Sequence, residues 1–252
     1  MMNKLAVAVI AVWLVATGWI QSASAQEQQK GFPIEFFACN WQDGKSAADL
    51  DKVTKKFNEW SDKNDGGYSA WLLTPQFHNR IGFDVGWLGA WPDGNAFGKG
   101  QDMWRKGGRE LAADFAAVMD CSAMHGLATS AVVHAPEGPG GDGVVMFAQC
   151  TMQDGKSPAQ ALPAHKKAAA AMVGMGSKAS SWLFYPGLGA GNIDFHYWQV
   201  IAFNNYAELG AATELYINGG GWEKVMGILG PVSRCASPTV FDATVVRTGT
   251  GS

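Results

Sequence analysis

The chain has 252 residues and a formal net charge of -3, and only 16% of its residues are charged. Because its lysines and arginines form no cluster, binding to a nucleic acid is not predicted. The length suffices for one large domain or two small ones.

The first 25 residues are predicted to be an export signal. Lys4 precedes an apolar run over residues 5–20, and small residues follow it up to Ala25. A basic start, an apolar stretch and a small-x-small cleavage site are typical of a secretory signal peptide. A retained anchor is the alternative, although the run is short for a bilayer span of about 20 residues. Cleavage after Ala25 would leave a periplasmic or secreted protein with no stable membrane span.

The next part of the chain, residues 26–135, predicts the order strand, helix, strand, strand, helix, strand. The expected bounds are 34–41, 46–62, 68–74, 83–91, 95–118 and 127–134. The first helix has apolar residues at three- and four-residue steps, as a half-buried helix requires: Leu50, Val53, Phe57 and Trp60. Gly107 and Gly108 interrupt the second helix, where we expect a kink or a close backbone approach.

Residues 144–252 repeat this pattern at an offset of about 111 positions. The sequence QDGKS at residues 42–46 recurs at 153–157, and each copy carries a glycine pair and two cysteines. Residues 136–143, between the copies, are rich in glycine and proline and are interpreted as a linker. The sequence therefore predicts two tandem units joined by a short connection.

The order of elements within each copy is the split β-α-β pattern of ferredoxin-like units, in which the fourth strand lies antiparallel beside the first. Cys39 falls late in the first strand, and Cys121 falls just before the fourth. We therefore predict a Cys39–Cys121 disulfide and, by repetition, a Cys150–Cys235 disulfide, in keeping with an exported chain that has an even number of cysteines. A pairing across the copies is the alternative.

This pattern resembles the dimeric α/β-barrel superfamily, which includes antibiotic-biosynthesis monooxygenases, stress-responsive barrel proteins, chlorite dismutases and dye-decolourising peroxidases. The resemblance covers nearly all of the mature chain but is one of topology, so no catalytic residue is carried over. It implies an α+β fold in which two tandem ferredoxin-like units pack sheet to sheet as an intramolecular barrel. It also implies that a ligand would lie between the sheet and the helices of a unit.

The apolar residues along the first helix of the first copy align with four alanines in the second copy: Ala161, Ala164, Ala168 and Ala171. On an unchanged backbone this loss of bulk would open a cavity. We therefore predict a site for a small apolar or aromatic molecule in the second copy. Rotation or closer approach of the helix is the alternative. The other expected ligand contacts lie on that helix or on the strands facing it: His165, Trp182, Phe184 and Trp198.

Three polar residues are candidates for proton transfer in a cofactor-free oxygenase or isomerase: His196, Asp84 and His78. His196 and Asp84 occupy aligned positions in the two copies, and His78 lies in a predicted loop. His125 and His134 are interpreted as structural or exposed.

No cofactor is predicted, with haem as the alternative, because His165 could ligate haem iron although no Cys-x-x-Cys-His attachment site is present. No metal centre is predicted, since the chain has no His-x-x-x-His pair. A structural or partner-binding barrel without a pocket is the remaining functional alternative. The sequence predicts no particular oligomeric state.

Overall fold

The computed structural model describes residues 31–64, 67–138 and 140–249. We call 31–138 the first half and 140–249 the second half. The predicted signal peptide lies outside the described residues. Within the described part of the chain, no helix combines the length and the apolar character that a membrane crossing requires.

The described residues form nine strands and six helices, and the two halves follow the same order of elements. The first half contains β1 (Phe32–Trp41), α1 (Ala47–Lys63), β2 (Ser69–Phe77), β3 (Val85–Ala90), α2 (Gly94–Gly107), α3 (Arg109–Ala116) and β4 (Met119–His134). The second half contains β5 (Gly143–Met152), α4 (Pro158–Gly174), β6 (Ser180–Pro186), β7 (Tyr197–Phe203), α5 (Tyr206–Ile217), α6 (Gly221–Leu229), β8 (Ser233–Cys235) and β9 (Thr239–Arg247).

Eight of these strands form a closed antiparallel barrel. The hydrogen-bonded order is β7-β6-β4-β1-β3-β2-β9-β5, and pairing of β5 with β7 closes the ring. The short β8 pairs with β5 beyond the end of the β9 ladder. The halves are joined by two strand ladders, β4 with β6 and β2 with β9.

Local sequence accounts for where helices α2 and α5 begin and for where α2 ends. The Asp93 side chain accepts a hydrogen bond from the Ala96 N–H at the start of α2, and Asn205 caps α5 in the same way. Such caps satisfy backbone donors that a helix terminus leaves without partners. The predicted interruption at Gly107 and Gly108 is confirmed, since α2 ends at Gly107 and α3 begins at Arg109.

The strands separate two kinds of core because successive side chains point to opposite faces of a sheet. Leu72 packs with α1 on the helix-covered face of the first half. The next residue, Leu73, packs with strand residues from both halves, including Val200 and Phe241. The core cluster that contains Leu73 has members in β1, β2, β3, β5, β6, β7 and β9 and therefore fills the barrel interior.

Both predicted disulfides are confirmed. Cys39 of β1 is bonded to Cys121 of β4, and Cys150 of β5 is bonded to Cys235 of β8. Cys150 and Cys235 lie directly opposite each other in the antiparallel ladder. Each disulfide thus ties the first strand of its half to the strand that follows the last helix.

Candidate functional site

A cavity of about 470 Å³ lies in the first half, between the sheet and helices α1, α2 and α3. Its wall is mainly aromatic and includes Phe57, Trp60, Trp87, Trp91, Trp104 and Phe115. A largely apolar cavity of this size with a few polar groups is typical of a small-molecule site.

Edge-to-face contacts hold the aromatic wall in place. The ring of Phe57 on α1 lies 5.7 Å from that of Trp87, 6.3 Å from that of Trp104 and 5.9 Å from that of Phe115, centroid to centroid. These contacts join α1 to β3, α2 and α3. Aromatic pairs favour this geometry, which keeps the rings apart instead of stacking them flat. Large side chains in this arrangement enclose a space that they do not fill.

A polar network centred on Glu35 of β1 lines part of the cavity. Glu35 is only 5% exposed. Its Oε2 accepts a hydrogen bond from the Tyr68 hydroxyl at 3.1 Å, and its Oε1 accepts one from Gln101 Nε2 at 3.4 Å. The Tyr68 hydroxyl in turn accepts from Trp87 Nε1 at 2.8 Å. Burial and the Glu35 charge raise the pKa of Tyr68 well above its usual value, so this phenol stays protonated and donates.

His125 of β4 completes the network at the edge of the cavity. Its Nε2 lies 2.8 Å from Glu35 Oε1, and its ring stacks on that of Phe37 with the centroids 3.8 Å apart. Phe37 lies directly opposite His125 in the β1–β4 ladder. The imidazole side chain is 54% exposed, unlike that of Glu35. His125 is therefore exposed, in keeping with its interpretation from the sequence as structural or exposed, and it also lies at the edge of the cavity.

The charge of the lining is acidic. Glu35 and Asp120 line the cavity, and among the described lining residues there is no lysine or arginine. A bound anion would therefore meet two carboxylates, and the imidazole of His125 is the basic side chain among the described lining residues.

The alanine face of α4 does not line this cavity, so the structure corrects our expectation that the large cavity lies in the second half. Three of the four predicted alanines are buried and the last is half-buried: Ala161, Ala164, Ala168 and Ala171. Ala161 packs with Leu183 and Tyr197, and its two buried neighbours pack with Leu229 of α6. The small side chains let α4 approach β4 and α6 closely. The backbone does not keep its position between the two halves, and closer approach of the helix is the alternative that holds.

The predicted strand aromatics lie on the other face of the sheet. Phe184 is part of the barrel-interior core, and Trp182 and Trp198 pack against that core. Leu183, between the first two, is the residue that packs with α4. The alternation of side chains places these aromatic rings away from α4, so their predicted contact with a ligand under that helix is wrong.

His165 of α4 is 2% exposed, and its Nε2 lies 2.9 Å from the Tyr197 hydroxyl. Burial lowers its pKa to about 4. Haem does not fit here, because this imidazole is enclosed by side chains, engages Tyr197 through its Nε2 and does not line the large cavity. His165, Cys150 and Cys235 offer ligand atoms within 4.8 Å of one another. Both sulfurs are in the disulfide, however, and cysteine binds metals as a thiolate.

The three predicted catalytic residues do not reach the cavity. His196, Asp84 and His78 are exposed, and none of them lines it. Asp84 Oδ2 accepts a hydrogen bond from the Trp41 N–H at 3.0 Å, and His196 Nδ1 accepts one from the Met152 N–H at 3.2 Å. These aligned residues therefore make equivalent contacts with a neighbouring strand, and we assign no catalytic role to them.

Sequence reasoning missed the network around Glu35, although one signal was present. Glu35 falls on the same face of its strand as Phe37 and Cys39, so it is an acid on a predicted buried face. Its aligned residue in the second half is Met146. A comparison of the first strands of the two copies for polar residues on their buried face would have selected Glu35.

No protein-family model matches this sequence, and no curated protein matches it. Among solved structures, a candidate chlorite dismutase is similar over 86% of this chain and 96% of its own, with a TM-score of 0.52 and 10% sequence identity. A candidate monooxygenase from Fusobacterium nucleatum subsp. nucleatum is similar over 88% of this chain and 94% of its own, with a TM-score of 0.53 and 9% identity. At this identity the likeness shows the fold alone. The expected resemblance to dimeric α/β-barrel proteins is confirmed at that level.

Proposed function

We propose that this protein is an exported binding protein for a small aromatic molecule, which it holds in the cavity of the first half. The observation that carries this proposal is an aromatic cavity of about 470 Å³ with the Glu35 polar network at its edge. The signal-like N-terminus and the two disulfides support export to the periplasm or beyond the cell. The cavity disfavours a purely structural barrel.

The lining favours a neutral or cationic ligand over an anionic one. It contributes carboxylates and aromatic faces, and aromatic faces attract cations and exclude anions. Trp91 is 8% exposed and lines the cavity, and its indole N–H has no acceptor among the described residues. An unmet buried donor costs about 1–3 kcal/mol, so a ligand oxygen that reached this N–H would recover part of that cost.

We also propose that the two halves are tandem ferredoxin-like units, with residues 26–135 and 144–252 joined by residues 136–143. The repeated sequence motifs and the repeated order of elements support this division. The cavity then lies between the sheet and the helices of the first unit, in the kind of place that the fold suggested but in the other copy.

A matched pair of probes tests the binding proposal. We expect 1-naphthol to quench tryptophan fluorescence and to raise the melting temperature. We expect 1-naphthoate, which has the same rings and a negative charge, to bind about tenfold more weakly or worse. Ala112 of α3 lines the cavity, whereas its neighbour Ala113 is exposed and does not. Ala112→Leu should therefore weaken binding, and Ala113→Leu should not. Absence of binding, or equal binding in both variants, would contradict the proposal.

A further inference from the structure

The polar network contains an arrangement that simple binding does not require. Glu35 is satisfied on both oxygens, since Tyr68 bonds Oε2 while Gln101 and His125 bond Oε1. A carboxylate supplied with several donors in a buried position is held in one orientation. Glu35 is thereby a fixed acceptor for the imidazole of His125.

This contact determines which nitrogen of His125 carries the proton. An ionised carboxylate only accepts hydrogen bonds, so Nε2 carries a hydrogen and donates it to Glu35. In the neutral ring, Nδ1 is then an acceptor with a free lone pair. Nδ1 has no hydrogen-bond partner among the described residues, and the side chain is 54% exposed at the edge of the cavity. Stacking on Phe37 fixes the plane of the ring.

We propose that His125 is a proton acceptor for the bound molecule, with Glu35 as its positioning residue, and that the ligand is an aromatic compound with a weakly acidic hydroxyl group. The proposal rests on the binding function above. In the step, the ligand O–H bond breaks and an N–H bond forms at Nδ1 of His125. The ligand becomes an oxyanion and the imidazole becomes an imidazolium, so charge is conserved and no further reactant takes part.

The charges around the site agree with this assignment. The titratable groups that line the cavity are Glu35 on β1, Tyr68 beside β2, and Asp120 and His125 on β4. With no lysine or arginine among the described lining residues, the protonated His125 is the group that can balance a ligand oxyanion. An aromatic acid that is already ionised brings no proton to a neutral His125, whereas a neutral hydroxyl compound carries a proton that it can transfer. A carboxylate that orients an imidazole in this way is a general feature of histidine bases.

The test uses 4-nitrophenol, whose anion has a visible absorption band that the neutral form lacks. Binding is followed by tryptophan fluorescence, and ionisation by absorbance, across a pH series. We expect the bound probe to ionise at least one pH unit below the free probe, which is about a tenfold larger ionised fraction at pH values below its midpoint. His125→Gln should abolish this shift in the probe that it binds. Glu35→Gln should move the midpoint back towards that of the free probe.

His134→Gln is the matched control, since His134 lies on the same strand and does not line the cavity. It should leave both the binding and the ionisation of the probe unchanged. Binding without a shift in the wild type, or an unchanged shift in His125→Gln, overturns the assignment of His125 and leaves the binding function in place. If the probe does not bind to the wild type, both the aromatic site and the proton acceptor are overturned.

Discussion

His165 is expected to make the protein lose stability as the pH falls from 7.5 to 5.0. Its imidazole is 2% exposed beneath α4, and burial lowers its pKa from 6.5 to about 4. In the unfolded chain the same group takes up a proton near pH 6.5. Between these two values the unfolded state binds more protons than the folded state. This residue therefore does not lower the free energy of unfolding above about pH 6.5, and it lowers that free energy progressively as the pH falls towards 4.

The expected magnitude follows from the two pKa values. The pKa difference of about 2.5 units corresponds to about 3 kcal/mol over the full range, since each unit is worth 1.36 kcal/mol. Between pH 7.5 and 5.0 the linkage relation gives a loss of about 2 kcal/mol from this residue. Carboxylates elsewhere also titrate at acidic pH, so the effect of His165 must be isolated by comparison with a variant.

Guanidinium chloride unfolding, followed by tryptophan fluorescence with the disulfides intact, measures this loss at both pH values. The wild type should lose about 2 kcal/mol more than His165→Gln, because glutamine does not titrate. His78→Gln is the control, since His78 is exposed in a loop, and it should behave as the wild type does. Equal losses in the wild type and His165→Gln would refute the reasoning.

Three further perturbations test the packing. A Cβ on Gly89 would collide with the ring and hydroxyl of Tyr68. Gly89→Ala should therefore lower the free energy of unfolding in urea by about 1–3 kcal/mol and weaken 1-naphthol binding. An unchanged affinity for 1-naphthol would contradict this expectation. Ala168→Leu should cost about 1–3 kcal/mol because Ala168 packs against Leu229, whereas a stabilising effect would indicate an open space under α4. The two disulfides close loops of 82 and 85 residues. From the loss of loop entropy, replacing either cysteine pair by serines should lower the free energy of unfolding by about 4–5 kcal/mol. A melting temperature equal to that of the wild type would contradict this expectation.

Periodicity predicted most elements of the fold because their burial is regular. The stripe of Leu50, Val53 and Phe57 is buried in α1 as expected. The repeat then led to both disulfides. By contrast, β4 begins at Met119 rather than at residue 127. Polar and exposed residues such as Asp120 interrupt the alternation of apolar and polar residues along β4. This strand borders the cavity, pairs with β1 over most of its length and pairs with β6 near its end, so no single face of it is apolar throughout.

The cavity was predicted in the wrong half because the volume of side chains along the helix was considered without the position of the helix itself. The four alanines suggested missing bulk, but α4 comes closer to β4 and α6 and closes the space. The bulky stripe around Phe57 suggested a filled interior, yet its edge-to-face rings surround a cavity. The volume of the side chains on one face of a helix does not determine the size of the cavity beneath it, because the distance of the helix from the sheet also varies. The contact of Glu35 with His125 depends on strand register, which the sequence pattern leaves open.

The ladders of β4 with β6 and of β2 with β9 affect how the protein unfolds. Each half covers both outer sheet edges of the other, and an uncovered edge exposes unpaired backbone groups that invite association with another chain. Melting of one half would therefore uncover both outer sheet edges of its neighbour. The ring is therefore expected to open in one all-or-none transition, without a partly open form that would leave a strand edge uncovered.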